Sequence, residues 1–394
     1  MTEPLPPSRA RRLLFAALTT LVVLLGIEIG LRGIVSLRVG HPGPFRYGFV
    51  TDARSRHTVS LHDDLLAGYS KFVPNKERTD YDPVTLQTYP VHINAQGFRG
   101  EDFAPKKPGT VRIVTLGASS TFGYHARDDA TWPRRLQVLL GRRCPATRYE
   151  VLNLGIPHLM SDEIVALFSA EALPLAPDVV TFYEGVNDAS MRRERNHLRK
   201  SLRRNVELRT VYRVARDHLL LVRLLDETIR PRVRRYDADD VRAHEVGRSE
   251  RFLASLDAIR TECEKRGIRF VVATQQAASL LVPREKMRGL TYEAEESLVK
   301  ARLAKDGSID AIEMAFLTHA DMMRALRGWA AERRVPLVDV VAATDQRRDI
   351  LVSWVHLSPE GNERVAEAFA PTILSLTCPG TPGLAAAPDS ALAP

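Results

Sequence analysis

Val111-Arg-Ile-Val-Thr-Leu-Gly-Ala-Ser-Ser-Thr-Phe-Gly123 begins as an apolar run, stops abruptly in small residues and then enters a helical pattern. Such a run reads as a buried parallel strand followed by a tight turn. Small residues matter at that turn, because ligands of open α/β sheets meet backbone N–H groups at strand ends and bulky side chains would block the approach. Ser119 stands at that point. A hydroxyl placed there faces the crevice as a nucleophile, and its own N–H can help hold an oxyanion; the plainer reading is a hydroxyl that caps the following helix.

Working outward, apolar runs alternate with helical stretches. Asp129 to Leu140 is expected to be helical, Tyr149 to Leu154 a strand ending at Gly155, Ser161 to Ala172 helical, and Asp178 to Tyr183 a strand ending at Gly185. Arg269 to Thr274 and Pro336 to Val340 repeat the strand signal. This alternation predicts an α/β fold with a central parallel sheet covered on both faces. Right-handed crossovers then carry every strand's carboxyl end to one edge. Gathered at that edge are Ser119, Gly155 with an unobstructed backbone N–H, and Asn187, in Gly185-Val-Asn-Asp188, with a side-chain amide. Two or three neutral donors beside a serine are what a tetrahedral oxyanion requires, although each residue alone is also an ordinary turn or helix-start residue. A base enters with Val355-His356-Leu-Ser-Pro-Glu-Gly361, where His356 lies in the loop before a helix expected from Pro359 to about Leu376. From there it can take the Ser119 proton.

Together these residues resemble the SGNH, or GDSL-type, hydrolase family. Gly117 to Gly123 matches the family's first block, Gly155 its second, Gly185-Val-Asn-Asp188 its third and His356 its last, in order and over about two thirds of the chain. The resemblance implies a three-layer, flavodoxin-like domain in which Ser119 is the nucleophile, His356 the base, and the Ser119 N–H, the Gly155 N–H and Asn187 the oxyanion hole. It also implies that the turn from Asn94 to Gly100 and the amino-terminal anchor are those of a membrane-anchored bacterial subgroup. Two positions depart from the pattern. The family's Asp after the first Gly is Ala118 here, which is compatible with an active nucleophile because that carboxylate does not orient the histidine. The family's Asp three residues before the His is Ser353. A neutral hydroxyl can orient the ring but stabilises the imidazolium less. Asp349 is the other candidate orienter, and a Ser–His dyad of reduced rate is the third arrangement.

The 394 residues, 44% of them hydrophobic, can bury the core of one large domain or two modest ones. Arg9, Arg11 and Arg12 precede an apolar run that, counted to Leu31, can just span a bilayer, and no small-x-small cleavage site follows it. The expected organisation is a cytoplasmic amino terminus and signal anchor over residues 1–35, an extracytoplasmic lead-in over 36–106 with a structural turn at Asn94 to Gly100, and a hydrolase-like domain over 107–377. A disordered tail is expected over 378–394. Within the domain, residues 191–250 form an insertion of helical character; Arg192 to Arg235 holds 15 Lys or Arg against five Asp or Glu, which exceeds the whole chain's +8. It is either a solvated helical lid or a patch facing an anionic surface. No aromatic interleaving marks a nucleic-acid partner.

Cys144, Cys263 and Cys378 allow at most one disulfide with one free thiol, or three buried thiols, and neither they nor the eleven histidines show metal-site spacing. No metal or other cofactor is expected. The first turn lacks the Gly-Lys-Ser/Thr of a phosphate loop and a dinucleotide fingerprint, and Thr121 stands where an α/β-hydrolase elbow needs Gly. The expected protein is a membrane-anchored extracytoplasmic serine esterase or acylhydrolase acting on O-acyl groups of a glycan or lipid. The alternatives are an O-acyltransferase of the same fold and a catalytically silent glycan-binding or assembly domain.

Overall fold

The computed structural model describes residues 9–39, 69, 71–72, 74–75, 77–81, 88–190, 219–224 and 234–379. The chain forms two compact units, Met1–Arg56 with Leu202–Arg230, and His57–Ser201 with Pro231–Pro394.

In the first unit, α1 (Arg9–Val39) is a single helix of 31 residues whose stretch Leu14–Ile34 has a mean hydropathy of 2.3. It is long and apolar enough to cross a bilayer, a property that signal sequences share. The hydroxyls of Thr19 and Thr20 donate back to the carbonyls of Phe15 and Ala16, so they add no unsatisfied donor to the apolar surface. Glu28 is buried and fully engaged: it accepts from Arg32 Nε at 2.7 Å and from the N–H groups of Leu220 and Leu221 at 2.7 and 2.8 Å, at the start of the short helix Leu220–Leu224. This stretch of the insertion therefore packs within the unit of α1. Residues 191–218 and 225–233, which include most of the basic run read as a solvated lid or an anionic-surface patch, lie outside the described residues. Tyr236, Val241, His244 and Arg248, towards the end of the insertion, are buried in the second unit.

The second unit opens with an antiparallel hairpin of β1 (Glu77–Tyr81) and β2 (Thr88–His92). Five parallel strands follow: β3 (Thr110–Gly117), β4 (Arg148–Asn153), β5 (Val179–Tyr183), β6 (Arg269–Ala273) and β7 (Leu337–Val338). Their order in the sheet is β4-β3-β5-β6-β7. Alternate residues face opposite layers. Val114, Leu116, Val180, Phe182 and Val272 join one core and Ile113, Val179, Tyr183, Val271 and Ala273 the other, as the two-residue period of a strand demands. Of the helices, α2 is Ser119–Phe122, α3 Trp132–Arg143, α4 Ser161–Leu167, α5 Val186–Ala189, α6 Arg248–Lys265, α7 Ala311–Arg333 and α8 Pro359–Thr377. Ile164, Phe252 and Met322 carry α4, α6 and α7 onto the first layer, and Leu136 and Phe369 carry α3 and α8 onto the second. This is a three-layer α/β fold of flavodoxin-like order, whose switch point falls between the carboxyl ends of β3 and β5.

One element changes its helical type within its expected span and another ends sooner than the sequence pattern suggests. The helix from Ser161 is α-helical only to Leu167 and continues as a π turn, Phe168–Ala172. The last strand has two residues because the Asp339 carboxylate takes the Thr274 hydroxyl, Arg327 and the Ala342 N–H, which turns the chain into the helix Val340–Thr344.

Cys144, at the end of α3, is disulfide-bonded to Cys378, at the end of α8 and 234 residues away, so the chain is tied down at the position where the tail was expected to begin. Residues 380–394 lie outside the described residues. Cys263 is the free thiol, buried, and burial pushes it up to about 12, so it is inert rather than reactive. A cross-link closing so long a loop restricts the unfolded chain strongly. Reduction is expected to destabilise the second unit by about 2–4 kcal/mol, read as a lower denaturant midpoint in reductant that a Cys144→Ser, Cys378→Ser variant reproduces without it.

Candidate active site

β3 delivers Ser119 to the switch point as the first residue of α2, with Ala118 rather than Ser119 in the capping position and no side-chain cap at that end. The serine hydroxyl is therefore not engaged as a cap. It lies 2.9 Å from His356 Nε2. Ser119 is 7% exposed, at the floor of the crevice. The histidine loop is fixed at both ends: Val352 N–H donates to the His356 carbonyl, Ser358 N–H donates to the Ile350 carbonyl, and the Ser358 hydroxyl caps α8 by accepting from Gly361 N–H. A serine Oγ within hydrogen-bond reach of an imidazole nitrogen is the arrangement of an activated nucleophile and its base.

The expected oxyanion donors are nearby in the fold but differently occupied. The Gly155 N–H donates to Asn153 Oδ1 at 2.9 Å, so it is not the unobstructed donor that the sequence suggests. Glycine is required there for another reason: a Cβ would stand 2.2 Å from the Phe122 backbone nitrogen, so only glycine lets β4's end approach α2. Asn187 Nδ2 donates to the Leu159 carbonyl at 2.9 Å. A primary amide carries two hydrogens, so one remains. Asn187 N–H, on the first turn of α5, donates to Glu184 Oε1. The Ser119 N–H belongs to the first turn of α2, where no intrahelical partner exists.

Residues 115–289 match the GDSL-like Lipase/Acylhydrolase family. That stretch is similar to the family, and the match covers less than half of the chain. No curated protein matches the chain. Among solved structures it is similar to the M. smegmatis aryl esterase (14% identity, TM-score 0.40, covering 68% of this chain and 100% of that one) and to the acetyl xylan esterase AlAXEase (15%, 0.39, 66% and 98%). It is also similar to the lipase/acylhydrolase from Enterococcus faecalis (15%, 0.37, 67% and 95%).

On the other side of the imidazole, Ser353 Oγ lies 2.9 Å from His356 Nδ1. The same oxygen also accepts from the backbone N–H groups of His356 at 3.0 Å and Val355 at 3.3 Å. A hydroxyl has two acceptor sites and one proton, whereas a carboxylate has about four acceptor sites. Two backbone donors thus share the hydroxyl oxygen with the imidazole. Ser353 meets Nδ1 as a donor in one tautomer and as an acceptor in the other, and only the latter, with Nδ1 protonated and Nε2 bare, leaves His356 able to act as a base. Asp349, the alternative orienter, is held by Arg347 at 3.0 Å and Arg288 at 3.1 Å. Burial alone would raise its carboxyl; the hydrogen bonds from Arg347 and Arg288 outweigh that and hold it below the usual carboxylate range.

Three positioning residues escaped the sequence reading. Ser120 Oγ donates to the Val355 carbonyl beside the histidine and accepts from Gln275 Nε2, while Gln275 Oε1 accepts from Val186 N–H. The end of β6 is thereby tied to the turns after β3 and β5. Arg99 comes from the turn read as purely structural. That turn forms, with Asn94 Oδ1 accepting from Gln96 and Phe98 N–H, and it delivers a buried guanidinium to the loop after α2. Arg99 donates to the carbonyls of Phe122, Gly123 and Ala126 and to Asp128. Nothing in the pattern Gly-Phe-Arg marks such a clamp, because its partners are backbone oxygens. Lysine would keep the charge but lose the fork. Arg99→Lys is expected to lower kcat for an aryl ester roughly 10- to 100-fold by displacing this loop, with KM little changed in steady-state kinetics.

Proposed function

We propose that this protein is a membrane-anchored, extracytoplasmic serine esterase or acylhydrolase that cleaves O-acyl esters of a glycan or lipid through an acyl-serine. The observation that carries the reading is the 2.9 Å contact of Ser119 Oγ with His356 Nε2 at the switch point of the sheet. As Oγ bonds to the ester carbonyl carbon, its proton passes to Nε2; the tetrahedral oxyanion faces the Ser119 N–H and the remaining Asn187 hydrogen. Collapse breaks the ester C–O bond, and the proton on Nε2 goes to the departing alcohol. Water then resolves the acyl-serine by the same steps in reverse order. The long-range disulfide supports an oxidising compartment, and α1 supports attachment to a membrane whose outer face carries acylated lipids and glycans.

The neutral Ser353 and the occupied Gly155 N–H favour a second reading, a catalytically silent glycan-binding domain. The purified chain is expected to hydrolyse a short-chain aryl ester. Product partition between water and added sugar hydroxyls separates a hydrolase from an O-acyltransferase, and an inert chain that still binds glycan selects the silent domain. A reporter active only outside the cytoplasm, fused to the carboxyl end, is expected to be active in the membrane fraction; a soluble or cytoplasmic product would overturn the location.

A further inference from the structure

A second imidazole stands beside the base, with a buried carboxylate behind it. His125, in the loop that Arg99 clamps, is held at a left-handed φ of +66°. Its ring lies edge-on to that of His356, with centroids 5.3 Å apart and planes at 71°. Asp80, on β1 of the lead-in hairpin and 7% exposed, directs both oxygens at His125: Oδ2 accepts the backbone N–H at 3.4 Å and Oδ1 lies 3.9 Å from Nδ1. The order Asp80, His125, His356, Ser119 thus runs inward from the lead-in to the nucleophile.

Chemistry at Ser119 places a positive charge on the half-buried His356, and an anion nearby offsets the cost of that charge. The usual position for the anion, on Nδ1, holds the neutral Ser353. Asp349 is committed to Arg347 and Arg288. We propose that Asp80, acting through His125, is the acidic arm of this site, set one imidazole further from the base than the carboxylate of an ordinary triad. The inference rests on the esterase reading above. Both are positioning residues: Asp80 fixes His125 and supplies negative charge, and His125 fixes the ring of His356. No proton reaches Asp80; the one taken from Ser119 stays on His356 until the leaving alcohol receives it.

The test is a double-mutant cycle. Asp80→Asn in the parent is expected to lower kcat/KM for an aryl ester about tenfold, mostly through kcat. His125→Gln should do the same. In a Ser353→Asp background, which is itself expected to be about tenfold faster because an anion then sits on Nδ1, the Asp80→Asn loss should shrink to about twofold or less. A merely structural Asp80 would cost the same factor in both backgrounds and lower the melting temperature, and that result overturns the proposal. So does the absence of any loss in the parent. Should Asp80→Asn fold poorly, His125→Gln completes the same cycle. An unlabelled, inactive parent overturns the esterase reading and this inference together, whereas an active parent with equal losses overturns the inference alone.

Discussion

Ser119→Ala is expected to lower kcat for a short-chain aryl ester roughly a hundred- to ten-thousandfold. The range follows from two magnitudes. Removing the nucleophile of a complete serine–histidine–aspartate unit costs about six orders of magnitude, and removing its aspartate alone costs about four. Here the group that meets His356 Nδ1 is the neutral hydroxyl of Ser353. The parent therefore starts lower and has less to lose. Ser120→Ala discriminates the two adjacent hydroxyls: its Oγ holds the Val355 carbonyl and does not reach His356 Nε2, so labelling at Ser119 should persist at a moderately reduced rate.

His356→Ala is expected to be nearly as damaging, because a serine hydroxyl without a base is a weak nucleophile at neutral pH. The two residues act as a unit across their 2.9 Å contact, so the double variant Ser119→Ala, His356→Ala should match either single variant rather than multiply the losses. Measured kcat values for the four proteins decide this. Losses that multiplied would mean that His356 contributes by a route other than the Ser119 proton.

The fold was readable because β3, β5 and β6 are largely buried and mainly apolar, and because glycines mark where β3, β4 and β5 stop. The meeting of Ser119 with His356 was readable for a related reason: topology brings strand ends and the loop before the last helix to one edge. What stayed hidden depends on side-chain geometry between distant segments. The Gly155 N–H is claimed by Asn153 only two residues away, a local turn bond that no pattern of block residues reports. Arg99 binds three carbonyls, and a backbone oxygen has no signature in sequence. Part of the insertion pairs with α1 through Glu28, a contact between residues more than 190 positions apart. Asp80 sits in a strand of mixed polarity, where an acidic residue reads as ordinary surface until the hairpin places it against His125.

The central claim is that Ser119 forms a covalent bond with a substrate-like electrophile, with His356 taking its proton. Its most direct measurement is labelling of the purified full chain with a fluorophosphonate, followed by peptide mapping. The account predicts a single adduct on Ser119, slowed by orders of magnitude in His356→Ala and accelerated in Ser353→Asp. No adduct across pH 6 to 9, or an adduct on another residue, would contradict it.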